Sequence, residues 1–298
     1  MMIRQRKLSQ KIAKALVSVF VLAVVFTPSL LSIRWAYGVL ADQDPRKVTD
    51  VSPLNTRQVD KTAAPLAAFE EPVISVTFDD GWQSIYSSGL PILQKYGIRT
   101  TQYVMSGTFD NPSYMTVEQL RSMQQAGHEI GSHTIAHADL TMLDEKQLTE
   151  ELKSSQDTLS KHFGPIRDFT SPYGAYNTRT LQEIGKYYRS QKNAEGDPSA
   201  DALGNINAKN GFNAFNFKSF SVRRHTTLED LRKLVEATRT NNGWLVLTYH
   251  QIDHKNELYS VSPEAFEQQM AYLSGLSIRS ATVGQFLDGL MPRQKLEF

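Results

Sequence analysis

From about Phe69 onward the apolar residues follow two rhythms in turn. Short runs rich in Val, Ile, Thr and aromatic side chains read as strands. Longer segments with apolar residues three and four apart read as helices. Val73–Phe78 is the first strand, and a helix over Ser84–Tyr96 follows and closes at Gly97. Arg99–Met105 is the second strand. Thr116 and Gln119 form a capping box for a helix that carries Val117, Leu120 and Met123 on one face and ends at Gly127. His128–Ser132 is a short third strand. Asp144–Phe163 is a long helix with Leu148, Leu152 and Leu159 inward, stopped by Gly164-Pro165. Ile166–Thr170 is a fourth strand. Gln191–Ser219 then breaks the rhythm: it is rich in Asn, Gly and Ala and too long for an ordinary connection. It reads either as a mobile surface insertion or as a loop shaping a binding cleft. Order returns with a helix over Leu228–Arg239 (Leu228, Leu231 and Val235 inward) and an apolar strand over Trp244–His250. Ser262-Pro263 opens a helix bearing Phe266, Met270 and Leu273, before a last strand at Ile278–Thr282 and a last helix at Val283–Leu290.

Strands alternating with helices argue for parallel strands joined by crossovers, as an open sheet or a barrel. The chemically loaded residues fall just after strands: Asp79-Asp80, His133, Tyr173 and His250. In a barrel the C-terminal rim of the strands gathers such residues into one pocket.

The N-terminal region has a different character. Arg4, Arg6, Lys7, Lys11 and Lys14 precede Ala15–Ile33, which carries no charge. Residues 1–41 read as a signal sequence or an uncleaved membrane anchor, with Val39-Leu40-Ala41 offering a cleavage site. The basic flank keeps the N-terminus cytoplasmic and sends the remainder outside, either to the outer face of the cell membrane or into the medium. Residues 42–68, with Pro45, Pro53 and Pro65 and no apolar period, read as a flexible tether. The folded domain is expected over 69–298.

Of the 298 residues 40% are hydrophobic and 21% charged, enough for a packed core. A formal net charge of +1 gives no argument for a nucleic-acid partner. The chain has no cysteine, so disulfides and thiolate metal sites are excluded and any metal must use His and carboxylate.

Asp79 and Asp80 repel each other unless a positive charge lies near, and a metal ion is the simplest one. His133 and His137, four positions apart, face the same way if they lie on a helical turn and can grip one ion. One carboxylate completes a three-ligand site with a position open for water, and the other acid is then free to act as a base. His250, at the end of an apolar strand, is placed to protonate a leaving nitrogen. Trp82, close behind the acid pair, suits either a sugar-lining or a core or rim role. His128 reads as a packed histidine beside the metal motif, and His162, His225 and His254 as surface or loop residues.

Taken in order, Thr77-Phe78-Asp79-Asp80-Gly81, Gly131-Ser132-His133-Thr134-Ile135-Ala136-His137, Ser171-Pro172-Tyr173-Gly174 and Leu247-Thr248-Tyr249-His250 resemble the motifs of the polysaccharide deacetylase family. This is the NodB-homology domain of carbohydrate esterase family 4, and the likeness covers about Glu71–Leu290. The resemblance implies an α/β fold, a distorted (β/α) barrel, that removes acetyl groups from N-acetylated sugars. It makes Asp79 the general base and His250 the general acid. It makes Asp80, His133 and His137 the ligands of a divalent metal, usually Zn2+, with Co2+ or Ni2+ as alternatives. The backbone N–H of Tyr173, behind Pro172, would help to stabilise the oxyanion.

Two departures stand out. Many members carry an Arg two residues before the Pro of the third motif, paired with the base; here that position is Thr170. The fourth motif is only loosely present around Tyr187-Tyr188-Arg189-Ser190. Arg189, Lys192 and Arg223 are the candidates to take over from the missing Arg. The expected protein is an exported, monomeric N-deacetylase of an envelope polysaccharide: peptidoglycan, poly-N-acetylglucosamine or a chitin-like polymer. Its rivals are an O-acetyl esterase of the xylan type and a glycan-binding relic without turnover.

Overall fold

Val73–Phe78 (β1) is buried along its whole length because it is paired on both edges. In a computed structural model describing residues 67–194 and 202–290, β1 runs parallel to Trp244–Tyr249 (β7) in continuous register from Val73↔Trp244 to Phe78↔Tyr249. Its other edge is shared. The upper half pairs with Thr100–Val104 (β2), and the lower half with the two-residue strand Arg279–Ser280 (β10). Glu129–Ser132 (β3), Asp168–Thr170 (β4) and Ser190–Lys192 (β5) extend the sheet one way, and Phe220–Ser221 (β6) the other. The order is β5-β4-β3-β2-β1-β7-β6, and every pairing is parallel. A separate two-stranded piece pairs Gln251–Ile252 (β8) with Ser260–Val261 (β9).

This is an α/β fold built on a curled parallel sheet. The strand path does not close on itself. Its two edges meet through residues 214–219 instead: Gln191 N–H donates to Ala214 O, Asn193 N–H to Phe217 O, and Ser219 Oγ to Asn193 O. The described residues belong to one compact unit, Val48–Phe298.

Period-2 alternation divides the sheet into two faces. Ile74, Val76 and Phe78 of β1 and Leu245, Leu247 and Tyr249 of β7 point outward under the helices. There they pack with Leu231, Leu234 and Val235 of Leu228–Thr240 and with Phe266, Met270 and Leu273 of Pro263–Ser274. The inner face is graded. At the bottom Val73, Trp244, Phe217 and Phe286 form an apolar plug, with Trp244 stacked on Phe286 at 3.9 Å. Higher up the same face turns polar: Trp244 Nε1 donates to Ser75 Oγ (2.9 Å), and Thr77 and Thr248 share a 2.9 Å hydroxyl bond. The rim above them carries Asp79 and His250.

The helices follow the capping signals closely. Thr116 and Gln119 make a complete capping box ahead of Val117–Gln125, and Asp144 with Gln147 another ahead of Glu145–Phe163. Val283–Leu290 forms as expected. Elsewhere the elements differ. The helix expected over Ser84–Tyr96 is a π-helical turn at Ile85–Gly89 followed by an α-helix at Leu90–Tyr96, because Pro91 has no N–H for the preceding turn. The fourth and last strands are shorter than their hydrophobic runs.

The described parts of Gln191–Ser219 are tied into the sheet at both ends, with residues 208–211 exposed between them. The first residues lie in β5, and Asn205, Ile206 and Phe217 are buried, with Asn207 bridged to Trp244. Residues 195–201 of that stretch, the export segment 1–41 and the tether as far as 66 lie outside the described residues. Among the described residues no helix is long and apolar enough to cross a membrane.

Candidate active site and metal centre

Two acids leave β1 and part at once. Asp80 (φ +72) and Gly81 (φ +83) both take left-handed backbone conformations, so the chain turns sharply and the two carboxylates diverge. Thr134, His137 and Tyr173 also have positive φ. Such strain in non-glycine residues costs on the order of 1 kcal/mol each and persists where the surrounding structure holds it. Here four of these residues fall in the segments that supply one site.

Asp80 Oδ1 faces two imidazoles: His133 Nε2 at 3.3 Å and His137 Nε2 at 3.4 Å. The three ligand atoms lie within 4.8 Å of one another. The histidines are not on a helical turn, as their spacing suggests. They sit on an irregular turn made possible by the left-handed Thr134 and His137, and their rings meet at 76°. Glu151, on the long helix behind, fastens this turn by accepting from the N–H groups of Ile135 (2.8 Å) and Ala136 (3.3 Å). Ser155 Oγ donates to Thr134 O at 2.9 Å, and His137 N–H donates to Thr134 Oγ1.

Two of the three donor groups are oriented from behind. His133 Nδ1–H donates to the carbonyl of Thr170 at 2.8 Å, which leaves the Nε2 lone pair facing Asp80. Trp82 Nε1–H donates to Asp80 Oδ2 at 2.8 Å, which commits that oxygen and turns Oδ1 to the histidines. Trp82 is thus a positioning residue stacked on Tyr114 at 4.6 Å. Asp80 Oδ1 is buried without a hydrogen-bond donor.

The electrostatics suit a cation. Burial pushes the Asp80 pKa up, but the approach of His133 and the charges of His250 and His137 outweigh it and hold the carboxyl well below the usual range. Burial, assisted by the neighbouring His133, lowers His137 to about 4, so its imidazole is neutral and able to ligate. Burial also disfavours charge on His133, yet Asp80 and Asp79 raise its pKa overall. An anionic oxygen facing two imidazole nitrogens, with His133 and Asp80 each hydrogen-bonded on the outer side, fits a divalent cation.

Asp79 is held differently. Lys192 Nζ lies 2.9 Å from its Oδ2 and donates to Thr248 Oγ1 at 3.1 Å, with Tyr103 beneath at 5.3 Å. Of the three basic candidates, this is the one that reaches the acid. Arg189 instead forks onto Asp168 (3.0 and 2.9 Å), and Arg223 lies over Tyr259. Thr170 and Lys192 are register partners on β4 and β5, so the positive charge comes from one strand further along at the same height. Asp79 Oδ1 is buried and has no hydrogen-bond partner.

His250 follows β7 on the same rim. Its ring lies 4.7 Å from Tyr259, and Nδ1 is buried without a partner. Burial lowers its pKa against the opposing pull of Asp80 and Asp79. Tyr173, half exposed and left-handed at φ +61, sets its ring against His137 at 4.5 Å, and Pro172 beside it is buried. Asp79, Asp80, His133, His137, Tyr173 and His250 therefore border one rim. Lys192 was one of three candidates, while Glu151 and Tyr259 carried no sequence signal, since a helical Glu and a loop Tyr are ordinary surface residues. His128 is structural: its Nδ1 accepts from Thr100 N–H (3.2 Å) and Thr100 Oγ1 (2.8 Å).

Residues 67–188 match the family described as polysaccharide deacetylase. A chitin deacetylase of Colletotrichum lindemuthianum is 25% identical over 217 residues, covering 67% of this chain and 87% of that protein. A peptidoglycan-N-acetylglucosamine deacetylase, PgdA, of Listeria monocytogenes is 30% identical over 115 residues, covering 38% of this chain and 24% of that one. The chain spans less than half the length of most of the curated relatives it matches. Among solved structures, the Xyl-CE4 domain of a xylanase from the hindgut metagenome of Trinervitermes trinervoides superposes with a TM-score of 0.52. It is 21% identical and covers 73% of this chain and 90% of that domain, a likeness of fold.

Proposed function

We propose that this chain, whose residues 67–188 match the polysaccharide deacetylase family, is an exported, metal-dependent hydrolase of that kind. It removes N-acetyl groups from an N-acetylhexosamine polymer of the cell envelope. The observation that carries this reading is the convergence of Asp80, His133 and His137, with Asp79 and His250 on the same strand rim. The uncharged segment Ala15–Ile33 behind a basic flank supports export. The N-acetyl specificity is supported by the chitin and peptidoglycan deacetylases among the relatives.

Asp80, His133 and His137 would hold the ion. A divalent cation there supplies Lewis acidity, easing the loss of a proton from water and polarising an acetamide carbonyl. The chain's own residues do the rest. Lys192 holds Asp79 Oδ2, leaving Oδ1 to accept a proton from the attacking water. As the new C–O bond forms, the carbonyl electron pair moves onto oxygen, to which the backbone N–H of Tyr173 would donate. His250 then delivers a proton to the nitrogen as the C–N bond breaks, releasing acetate and a free amine on the sugar.

The relic alternative rests on Thr170 and on the loosely present fourth motif, and Lys192, which reaches Asp79 from the adjacent strand, argues against the first of these grounds. The test is acetate release from chitooligosaccharides, peptidoglycan and acetylated xylan, together with metal content. The parent protein is expected to bind one ion and to release acetate from the N-acetyl glycans. Asp80→Asn and His133→Ala are expected to lose both properties. Variants that bind metal and turn over like the parent end this reading, and preference for acetylated xylan moves it to O-acetyl groups.

A further inference from the structure

Beyond the metal rim, the chain leaving β6 runs through Val222 to Arg223, at the same end of the sheet as His250 after β7. A cavity of about 290 Å³ opens there. Its lining includes the apolar Phe220, Leu234 and Leu258 and the basic or titratable Arg223, His225 and Lys233. Asp230 is the one acid of the lining. It is already engaged: Oδ2 accepts from Thr227 N–H (2.9 Å) and Thr227 Oγ1 (2.7 Å) in a capping box. Arg223 is not so engaged. Its Nε is buried without a hydrogen-bond partner, although the residue itself reaches the surface. Its backbone is fixed by a tight turn in which Arg223 N–H donates to Thr226 Oγ1 and Thr226 N–H donates to Arg223 O. A buried donor with no acceptor is costly unless a ligand completes it, and a guanidinium favours a planar oxyanion.

The cavity adjoins the reaction site through one side chain. The Arg223 guanidinium lies 5.6 Å from the ring of Tyr259, and the same ring lies 4.7 Å from His250. Tyr259 is 37% exposed, so a sugar passing between the two sites can touch it. A glycan that places its acetamide beside His250 therefore places a neighbouring residue over Arg223.

We infer that this cavity is a subsite for a carboxylate carried by the sugar next to the one deacetylated. The polymer is thus an anionic N-acetylated glycan rather than a neutral one. The inference rests on the deacetylase reading and names its substrate class. Two sugar chemistries supply such a carboxylate, a lactyl ether and a uronic acid. A neutral N-acetylglucosamine oligomer supplies none.

The experiment measures KM and kcat on three probes of matched length. They are chitooligosaccharides, glycan strands alternating N-acetylglucosamine with N-acetylmuramic acid, and oligomers alternating N-acetylglucosamine with glucuronate. The carboxylate-bearing probe that fits is expected to show a KM about 10-fold or more below the neutral one, from one charge-assisted hydrogen bond. The advantage should shrink as salt is raised. Arg223→Ala is expected to bring the KM values for charged and neutral probes together. Arg223→Lys should keep part of the gap, and Lys233→Ala should narrow it less. Equal KM values in the parent, or an Arg223→Ala effect that is the same on every probe, overturn the subsite. Calorimetric binding of the charged probes separates the two claims. Arg223-dependent binding without acetate release would leave the subsite standing and remove the deacetylase reading. Acetate release with no preference for charge would do the reverse.

Discussion

Lys192 is 1% exposed, and a lysine so deeply buried persists only when its charge is matched. Asp79 matches it, and the pair explains how two adjacent acids take different roles. The one bonded to an ammonium is kept from the histidines, and the one without it faces them. Lys192→Met should lower stability by about 3–5 kcal/mol, because it strands a buried carboxylate. Adding Asp79→Asn should recover most of that loss in chemical denaturation while leaving the protein without turnover. If the double variant is as unstable as Lys192→Met, the two residues are not paired.

A second residue carries a pH signature. Burial holds His128 at about 4, against 6.5 for a free imidazole, and its Nδ1 must stay unprotonated to accept from Thr100. The pKa is depressed on folding, so the unfolded chain binds the extra proton between pH 6.5 and 4. Stability from this group is complete above 6.5 and lost as pH falls. Glu129, raised by burial and by Asp168 to about 7, tilts stability the other way over pH 4.5–7. The clean measurement is therefore a difference. The stability cost of His128→Gln should shrink between pH 7.5 and pH 4 by on the order of 3 kcal/mol. A pH-independent cost would mean that the ring is not buried neutral.

At the scale of elements, the site depends on turns as much as on strands. Much of the fold was legible: capping boxes, the stop at Gly164-Pro165 and the run at Val73–Phe78 all carry local signals. The turn that holds His133 and His137 was not. Two left-handed non-glycine residues have no sequence signature, so a His-x-x-x-His spacing reads as helical. β5 was hidden for another reason. Ser190, Gln191 and Lys192 are all polar, each bonded to a different buried polar partner (Asp168, Ser171 and Asp79), and no alternation marks them.

Glu151 is the element-scale handle on this turn. Removing its two bonds with Glu151→Ala should weaken metal binding about 10–100-fold, as loss of an outer support does, with a small change in melting temperature. Unchanged affinity would mean that the turn holds its own shape. Gly81→Ala should also be costly, by about 1–2 kcal/mol, since φ is +83 and the new Cβ would sit 3.2 Å from Val104 Cγ1. A neutral result in thermal melts would contradict that backbone conformation.

For the molecule as a whole, the curled sheet separates stability from chemistry. The apolar plug of Trp244, Phe217 and Phe286 fills the lower interior, and the acids and histidines of the candidate site stand on the upper rim. Strands distant in sequence thereby deliver Asp80, His133 and His137 to one point, which no local pattern requires. The most direct measurement is titration of the purified protein with Zn2+ or Co2+, followed by calorimetry and by the melting temperature. One equivalent should bind, and the melting temperature should rise with free metal, by the equivalent of about 4 kcal/mol at a thousandfold excess over Kd. Asp80→Asn, His133→Ala and His137→Ala should each abolish the rise. Binding that survives all three substitutions, or no binding to the parent, would contradict a metal centre built from these residues.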